Sequence, residues 1–144
     1  MISNPKDGWC EFKLGAFTGH PSYLTDVPMD IMSAFIDYYS TGSGLAYFDE
    51  EGTEFNLVLS NYSVYIISVG EHAELYDCSH LNIDCITEEL IGDIEGHIEE
   101  WTSFLMPYDG REAATQRYHI DDLLKRLKFA YTTRPFRINK KKWR

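Results

Sequence analysis

The stretch EFNLVLSNYSVYIISV, from Glu54 to Val69, decides the fold that we expect for this chain. Its first part, Glu54 to Leu59, alternates apolar and polar residues, which is the pattern of a strand with one buried face. Its second part, Tyr62 to Val69, is apolar on both faces and indicates a strand in the middle of a sheet. A turn at Ser60 and Asn61 joins the two parts, so the stretch predicts a pair of antiparallel strands.

Neighbouring segments extend this pair into a larger sheet. Leu45 to Phe48 predicts a short strand before the pair, and Ala73 to Leu81 predicts another strand after it. These four strands together form an antiparallel meander. Trp9 to Phe17 also alternates and predicts one further strand. The residues on its apolar face are Cys10, Phe12, Leu14 and Ala16.

Three helices are predicted around the strands. The first runs from Val27 to Ser40, because Asp26 suits the N-cap and Pro28 suits the first turn. The second starts near Asn82 or Asp84 and ends at about Leu105, with apolar residues spaced three or four apart. That stripe consists of Ile83, Ile86, Leu90, Ile94, Ile98, Trp101 and Leu105. The third covers Ile120 to Ala130, and residues 111 to 119 are left open between helix and loop.

These elements define the expected fold class, which is α+β. We expect an antiparallel sheet of about five strands with one long helix packed on it, an N-terminal helix and a short C-terminal helix. A length of 144 residues is enough for one sizeable core. We therefore expect a single domain over residues 1 to 133 and a basic tail over residues 134 to 144.

The charge of the chain is distributed unevenly. No Lys or Arg occurs from Leu14 to Gly110, where 18 Asp and Glu residues are found. Residues 1 to 110 carry a net charge of -18, and residues 111 to 144 carry +8. A body of this sign repels nucleic acid and attracts basic proteins, while the tail does the reverse.

The carboxylates concentrate in three places, and we expect these places to bind a basic protein. They are the turn after Phe48, the strand around Glu74, and the outward side of the second helix. Nearby tyrosines suit an interface, and two helical glycines would let another backbone approach closely. The alternative is an ordinary acidic surface that keeps the protein in solution. The candidate partner-binding residues are Tyr47, Asp49, Glu50, Glu51, Glu54, Glu71, Glu74, Tyr76, Asp77, Glu88, Gly92, Glu95, Gly96 and Glu99.

The basic tail supports an alternative function, because lysines next to aromatic residues can bind RNA, DNA or an anionic membrane. It is too short to specify a sequence by itself, and it could instead fold back on the acidic body. The candidate nucleic-acid-binding residues are Arg134, Arg137, Lys140, Lys141, Lys142, Trp143 and Arg144.

No residue pattern in the chain predicts catalysis or a cofactor. Cys78, His80 and Cys85, with His97 or Cys10, do not match the spacing of a zinc site. His97 with Asp93 and Glu100 lacks a nucleophile and a metal motif. We therefore expect neither an enzyme nor a bound metal. The odd number of cysteines and the absence of a leader or a membrane span predict a cytoplasmic protein.

Two segments carry a resemblance to known proteins. Ser22 to Ser60 combines an Asp-capped amphipathic helix with a strand pair around an acidic turn, and His119 to Leu127 is a leucine-rich helix. This pattern resembles small standalone bacterial α+β domains. Proteins of this size, acidity and architecture are similar to the immunity proteins that accompany bacterial toxins, including those of contact-dependent inhibition systems.

The resemblance implies a cytoplasmic inhibitor that neutralises a cationic toxin domain, such as a nuclease, through an acidic surface. Two alternatives remain open at this point. One is a nucleic-acid-binding module that uses the tail. The other is an assembly subunit whose tail docks on the acidic surface of a neighbouring copy.

Overall fold

The computed structural model describes residues 1–105 and 112–134 of the chain. Within these ranges, two antiparallel sheets and four helices confirm the predicted α+β class. The strands are β1 (Ile2–Lys6), β2 (Trp9–Leu14), β3 (Phe17–Gly19), β4 (Ser43–Asp49), β5 (Glu54–Ser60), β6 (Val64–Val69) and β7 (Ala73–Asp77). The helices are α1 (Val27–Thr41), α2 (Ile83–Glu95), α3 (Ile98–Ser103) and α4 (Ala113–Thr133).

The predicted meander is confirmed as a four-stranded sheet. Its strands are ordered β4-β5-β6-β7, and each pairs antiparallel with the next. β6 lies between β5 and β7, which agrees with the interior position expected from its two apolar faces.

The prediction of one sheet of about five strands is wrong, because the N-terminal residues form a separate sheet. Its order is β1-β2-β3. The predicted strand from Trp9 to Phe17 is a hairpin: Gly15 has φ +56° and reverses the chain, so that Leu14 pairs with Phe17. Ala16, expected on the apolar face, is exposed in this turn.

Helix α1 lies at the centre of the molecule. Asp26 caps its start by accepting a hydrogen bond from the Met29 amide at 3.4 Å, and Gly42 ends it with φ +92°. The helix packs against β4 on one side and against α4 on another, and only Asp37 and the two terminal residues Ser40 and Thr41 are exposed. α1 is therefore the main helix packed on the sheet, a place that the sequence had assigned to the second helix.

The predicted long second helix is interrupted. α2 ends at Glu95, and His97 has the non-helical angles φ -137° and ψ 40° before α3 begins. The indole N–H of Trp101 donates to the Asp93 carbonyl at 3.2 Å, which satisfies one of the free carbonyls at the end of α2. The predicted stripe still faces the core, since Ile86, Leu90, Ile94, Trp101 and Leu105 are buried.

The last helix is longer than predicted. α4 includes most of the segment that the sequence left open and reaches Thr133. Its buried face contains the leucines that predicted it, and the buried residues are Gln116, Ile120, Leu123, Leu124, Leu127 and Ala130.

The core joins both sheets through a cluster of phenylalanines. Phe12 and Phe17 of the N-terminal sheet contact Phe55 of the meander, with ring centroids 4.9 and 4.8 Å apart. Phe48 stacks on Phe55 at 4.8 Å. These rings and α1 cover one face of the meander. In the ranges 1–105 and 112–134, no helix has both the length and the apolar character to span a membrane.

Candidate functional site

The other face of the meander is open to solvent and carries apolar side chains. We call it the outer sheet face. Leu45 and Leu75 each remain 64% exposed, and Tyr47 and Ile67 remain 40% and 37% exposed. Its apolar residues are Leu45, Tyr47, Val58, Tyr65, Ile67, Val69, Ala73 and Leu75. Exposed apolar groups that adjoin one another in this way mark interaction surfaces more often than scattered ones do.

The strand register brings these residues together. Tyr47 pairs with Asn56, which pairs with Ile67, which in turn pairs with Leu75, so the four residues form one row across the sheet. A second row consists of Leu45, Val58, Tyr65 and Asp77. Directly opposed side chains in such rows lie close enough to touch, so the rows form a continuous patch.

A third row places two carboxylates opposite each other at the end of this patch. Asp49 pairs with Glu54 across β4 and β5. Like charges in this arrangement destabilise a sheet, and neither carboxylate has a Lys or Arg partner within the described residues. The Tyr47 hydroxyl donates to Glu54 at 2.6 Å. This bond to a carboxylate raises the pKa of Tyr47 to about 12.

Other predicted carboxylates surround the patch or turn away from it. Glu51 and Glu71 are exposed in the β4–β5 and β6–β7 turns, and Asp77 ends the second row. Glu50 instead accepts hydrogen bonds from the His20 amide and the Thr53 hydroxyl. We call Asp49, Glu51, Glu54, Glu71 and Asp77 the acidic rim.

Two rim residues, Asp49 and Glu54, also line a depression of about 300 Å³ between the two turns. Its lining residues are Asp49, Gly52, Thr53, Glu54, Val69 and Gly70.

Glu74 and Tyr76 lie on the opposite side of β7 from Leu75. The Tyr76 hydroxyl donates to Glu74 at 2.8 Å, and its ring packs on Phe17 with centroids 5.1 Å apart. The structure therefore does not join these two predicted partner-binding residues to the outer sheet face.

The predicted acidic side of the second helix makes contacts within the molecule. Glu95 and Glu99 form ion pairs with Lys128 and Arg117 of α4. The Tyr131 hydroxyl donates to Glu88. The stretch from Leu14 to Gly110 has no Lys or Arg of its own. Helix α4 supplies the cations that pair with its helices α2 and α3.

Two more carboxylates of this helical surface bind within the molecule. The α-amino group of Met1 contacts Glu89 and lies 2.8 Å from Asp93. Gly92, predicted to admit another backbone, has open space around the position of a Cβ. Gly96 ends α2, and its amide donates a hydrogen bond to the Gly92 carbonyl.

One residue of the predicted tail is described. Arg134 ends α4 in the left-handed conformation with φ +46°. Its guanidinium lies 2.7 Å from Asp84 and over the Tyr131 ring, 4.9 Å from the centroid. Arg134 therefore binds the acidic body. The other predicted nucleic-acid-binding residues, Arg137, Lys140, Lys141, Lys142, Trp143 and Arg144, lie outside the described residues.

The structure does not assemble a site from the Cys and His residues considered as metal ligands, or from His97 with its neighbouring carboxylates. Cys78 is buried with its thiol 3.9 Å from the Leu14 carbonyl, whereas Cys85 is exposed. Burial raises the pKa of Cys10 to about 12. His97 lies 3.8 Å from Glu100 on an exposed surface. Among the residues described, no three His, Cys, Asp or Glu side chains are placed to hold a metal ion.

Sequence reasoning missed most of the apolar part of the outer sheet face. Leu45, Val58, Ile67 and Leu75 were assigned to strands and not to a surface. The signal was the two apolar faces of the strand that ends at Val69. The two apolar faces predict a position in the middle of the sheet, and they do not reveal that one of the faces is open to solvent.

No family model, curated protein or solved structure matches this chain.

Proposed function

We propose that this chain is an immunity-type inhibitor that binds a cationic protein through the outer sheet face. The observation that carries the proposal is the apolar patch that contains Leu45, Tyr47, Ile67 and Leu75 and is bordered by the acidic rim. An apolar centre with a charged edge is the general arrangement of a protein-binding surface.

The sign of the rim favours a basic partner. The segment from 43 to 77 contains seven Asp and Glu residues and no Lys or Arg. Phosphate groups would be repelled by this surface, whereas a cationic protein would be drawn to it. A basic side chain placed near Asp49 and Glu54 would also relieve their mutual repulsion.

The two parts of the surface have different roles in this proposal. The rim accelerates encounter with the partner, and its effect weakens as salt screens the charges. The apolar patch holds the complex together, because its burial removes exposed Leu, Ile and Tyr surface from water.

A toxin nuclease domain is the partner that we favour. Support for this class comes from the resemblance of Ser22 to Ser60 and His119 to Leu127 to immunity proteins. A nuclease must bind a polyanion through a basic surface, and an acidic rim can occupy that surface. Such an inhibitor acts in the cytoplasm of the cell that it protects.

The alternatives have less structural support. Arg134 is engaged with Asp84, so the nucleic-acid-binding module depends on residues 135 to 144. Removing those residues and keeping Arg134 separates the two functions. If the truncated chain no longer carries out the function of the full chain, that result would favour the nucleic-acid-binding module. If the truncated chain still carries it out, the inhibitor is favoured.

The proposal is tested first on the gene upstream of this chain, which we expect to encode a large secreted protein with a toxic C-terminal domain; another kind of gene there would count against the proposal. The binding partner is then that C-terminal domain, purified in a catalytically inactive form. We expect Leu75→Lys to weaken binding at least about tenfold, because it places a cation in the apolar patch opposite a cationic partner. Tyr118→Lys is the matched control, since Tyr118 is 67% exposed on α4. Equal affinities of the two variants, measured by calorimetry, would place the interface elsewhere.

The rim is tested by association kinetics with the same domain. The double variant Glu51→Lys and Glu71→Lys should slow association about tenfold or more at low salt, and little at high salt. Glu112→Lys, an exposed substitution at the start of α4, should leave the rate almost unchanged. A rate that is independent of salt in the unsubstituted protein would contradict electrostatic steering.

A further inference from the structure

A groove between α1 and α4 differs in charge from the outer sheet face. It lies across α1 from the four-stranded sheet and has a volume of about 420 Å³. Its lining residues are Ile36, Ser40, Lys125, Arg126, Phe129 and Ala130. The proposed inhibitor function does not use this groove.

The groove combines an apolar floor with a cationic edge. Ile36 and Ala130 form a buried floor, and Phe129 stands beside it with 69% of its surface exposed. A phenylalanine exposed to this extent leaves a large apolar area in contact with water. The groove is therefore suited to receive an apolar side chain.

The positive charges at the groove belong to α4 residues that do not pair with α2 or α3. Lys128 and Arg117 pair with Glu95 and Glu99. Lys125, in contrast, has no carboxylate within 4.0 Å among the described residues. Arg126 has only Asp122 of its own helix, at the long distance of 3.9 Å. Two positive charges thus face the groove with little compensation.

We propose that this groove is a second binding surface that takes an acidic segment of a partner protein, anchored by one apolar side chain. Lys125 and Phe129 are one helical turn apart, a rise of about 6 Å. A segment that carries a carboxylate next to one apolar side chain can therefore reach both Lys125 and the Phe129 ring. The acidic outer sheet face of a second copy is the competing occupant, and self-association at low salt that Lys125→Glu abolishes would overturn the proposal in its favour.

The capped peptide DEFDE serves as the probe, titrated into the full chain at low salt and followed by amide chemical shifts. We expect saturable shifts centred on Ser40, Lys125 and Phe129. The peptide DEADE, which lacks the anchor, and the peptide KKFKK, which lacks carboxylates, should each bind at least about fivefold more weakly. Shifts centred on the outer sheet face, or equal binding of all three peptides, would overturn the proposal.

Matched variants locate the site. Phe129→Ala and Lys125→Glu should each weaken binding of DEFDE at least about fivefold. Tyr118→Ala removes a ring that is equally exposed on α4 but outside the groove, and Lys6→Glu makes the same change of net charge on β1. Neither control should alter the affinity. A loss of affinity in the controls equal to that in the groove variants would overturn the proposal.

Discussion

Gly44 and Gly92 have opposite surroundings, which gives each a different role. A Cβ atom at Gly44 would lie 2.0 Å from the Ala34 carbonyl oxygen of α1. The absence of a side chain therefore lets α1 approach β4 closely. At Gly92, no atom outside the adjoining turns of its own helix and its chain neighbours lies within 4 Å of the corresponding position. Close packing requires the first glycine but not the second.

Substituting these two glycines should change stability in opposite directions. We expect Gly44→Ala to lower the free energy of unfolding by about 2 kcal/mol or more, because α1 or β4 must move. Gly92→Ala should raise it by about 0.5 to 1 kcal/mol, the ordinary gain in a helix interior. Urea denaturation of both variants measures the difference. A stabilised Gly44→Ala protein would contradict the packing described.

Residue types predicted the acidic residues of the outer sheet face but not most of its apolar residues. Acidic turn residues such as Glu51 and Glu71 could be named from the sequence, because charges in turns are exposed. Ile67 and Leu75 could not be assigned to a surface. Alternating apolar residues look the same whether a second face is buried in the core or open to a partner.

At the level of elements, α4 supplies the cations that pair with carboxylates of α2. Asp84 at the start of α2 accepts a hydrogen bond from the Tyr39 hydroxyl at 2.8 Å and pairs with Arg134 at 2.7 Å. Among the described residues, Glu95 at the end of α2 pairs only with the exposed Lys128. The Asp84 end therefore has a hydrogen bond from a buried tyrosine that the Glu95 end lacks.

We expect the Asp84 end to contribute more to stability. Asp84→Ala should lower the free energy of unfolding by about 1 to 3 kcal/mol, since it removes the carboxylate beside Arg134 and an acceptor of the buried Tyr39 hydroxyl. Glu95→Ala should cost less than about 1 kcal/mol, because solvent screens an exposed pair. Thermal denaturation at low and high salt compares them. Equal losses would show that the network around Tyr39 adds nothing.

Element boundaries were predicted less well than element types. Alternation continues through Gly15, and helical spacing continues through Gly96, although the chain reverses at the first and breaks at the second. Periodicity reports which residues are buried, and it does not report a change of chain direction. β1 gave no signal, since Asn4 and Pro5 interrupt any alternation.

Across the whole molecule, the sheet side and the helical side differ in charge. The strands β4 to β7 and their turns contain acids alone, apart from His72. The described cations after residue 111 all belong to α4 and its end, namely Arg117, Lys125, Arg126, Lys128 and Arg134. Two copies that met through their outer sheet faces would oppose carboxylates to carboxylates.

The chain should therefore be a monomer in solution at low salt, with a mass of 16.7 kDa by sedimentation. Repulsion between rims disfavours a dimer formed through the outer sheet faces, and added salt would weaken that repulsion. An assembly in which the tail of one copy docks on the rim of another predicts the reverse dependence. Association that is strongest at low salt would support that alternative.

The position of the outer sheet face has an evolutionary consequence. Its residues alternate along each strand with core residues such as Phe48 and Leu57, yet they add little to the core themselves. Substitutions at Leu45, Ile67 or Leu75 can therefore accumulate at small cost to folding. A chain built in this way can acquire a new binding preference through a few changes on one face.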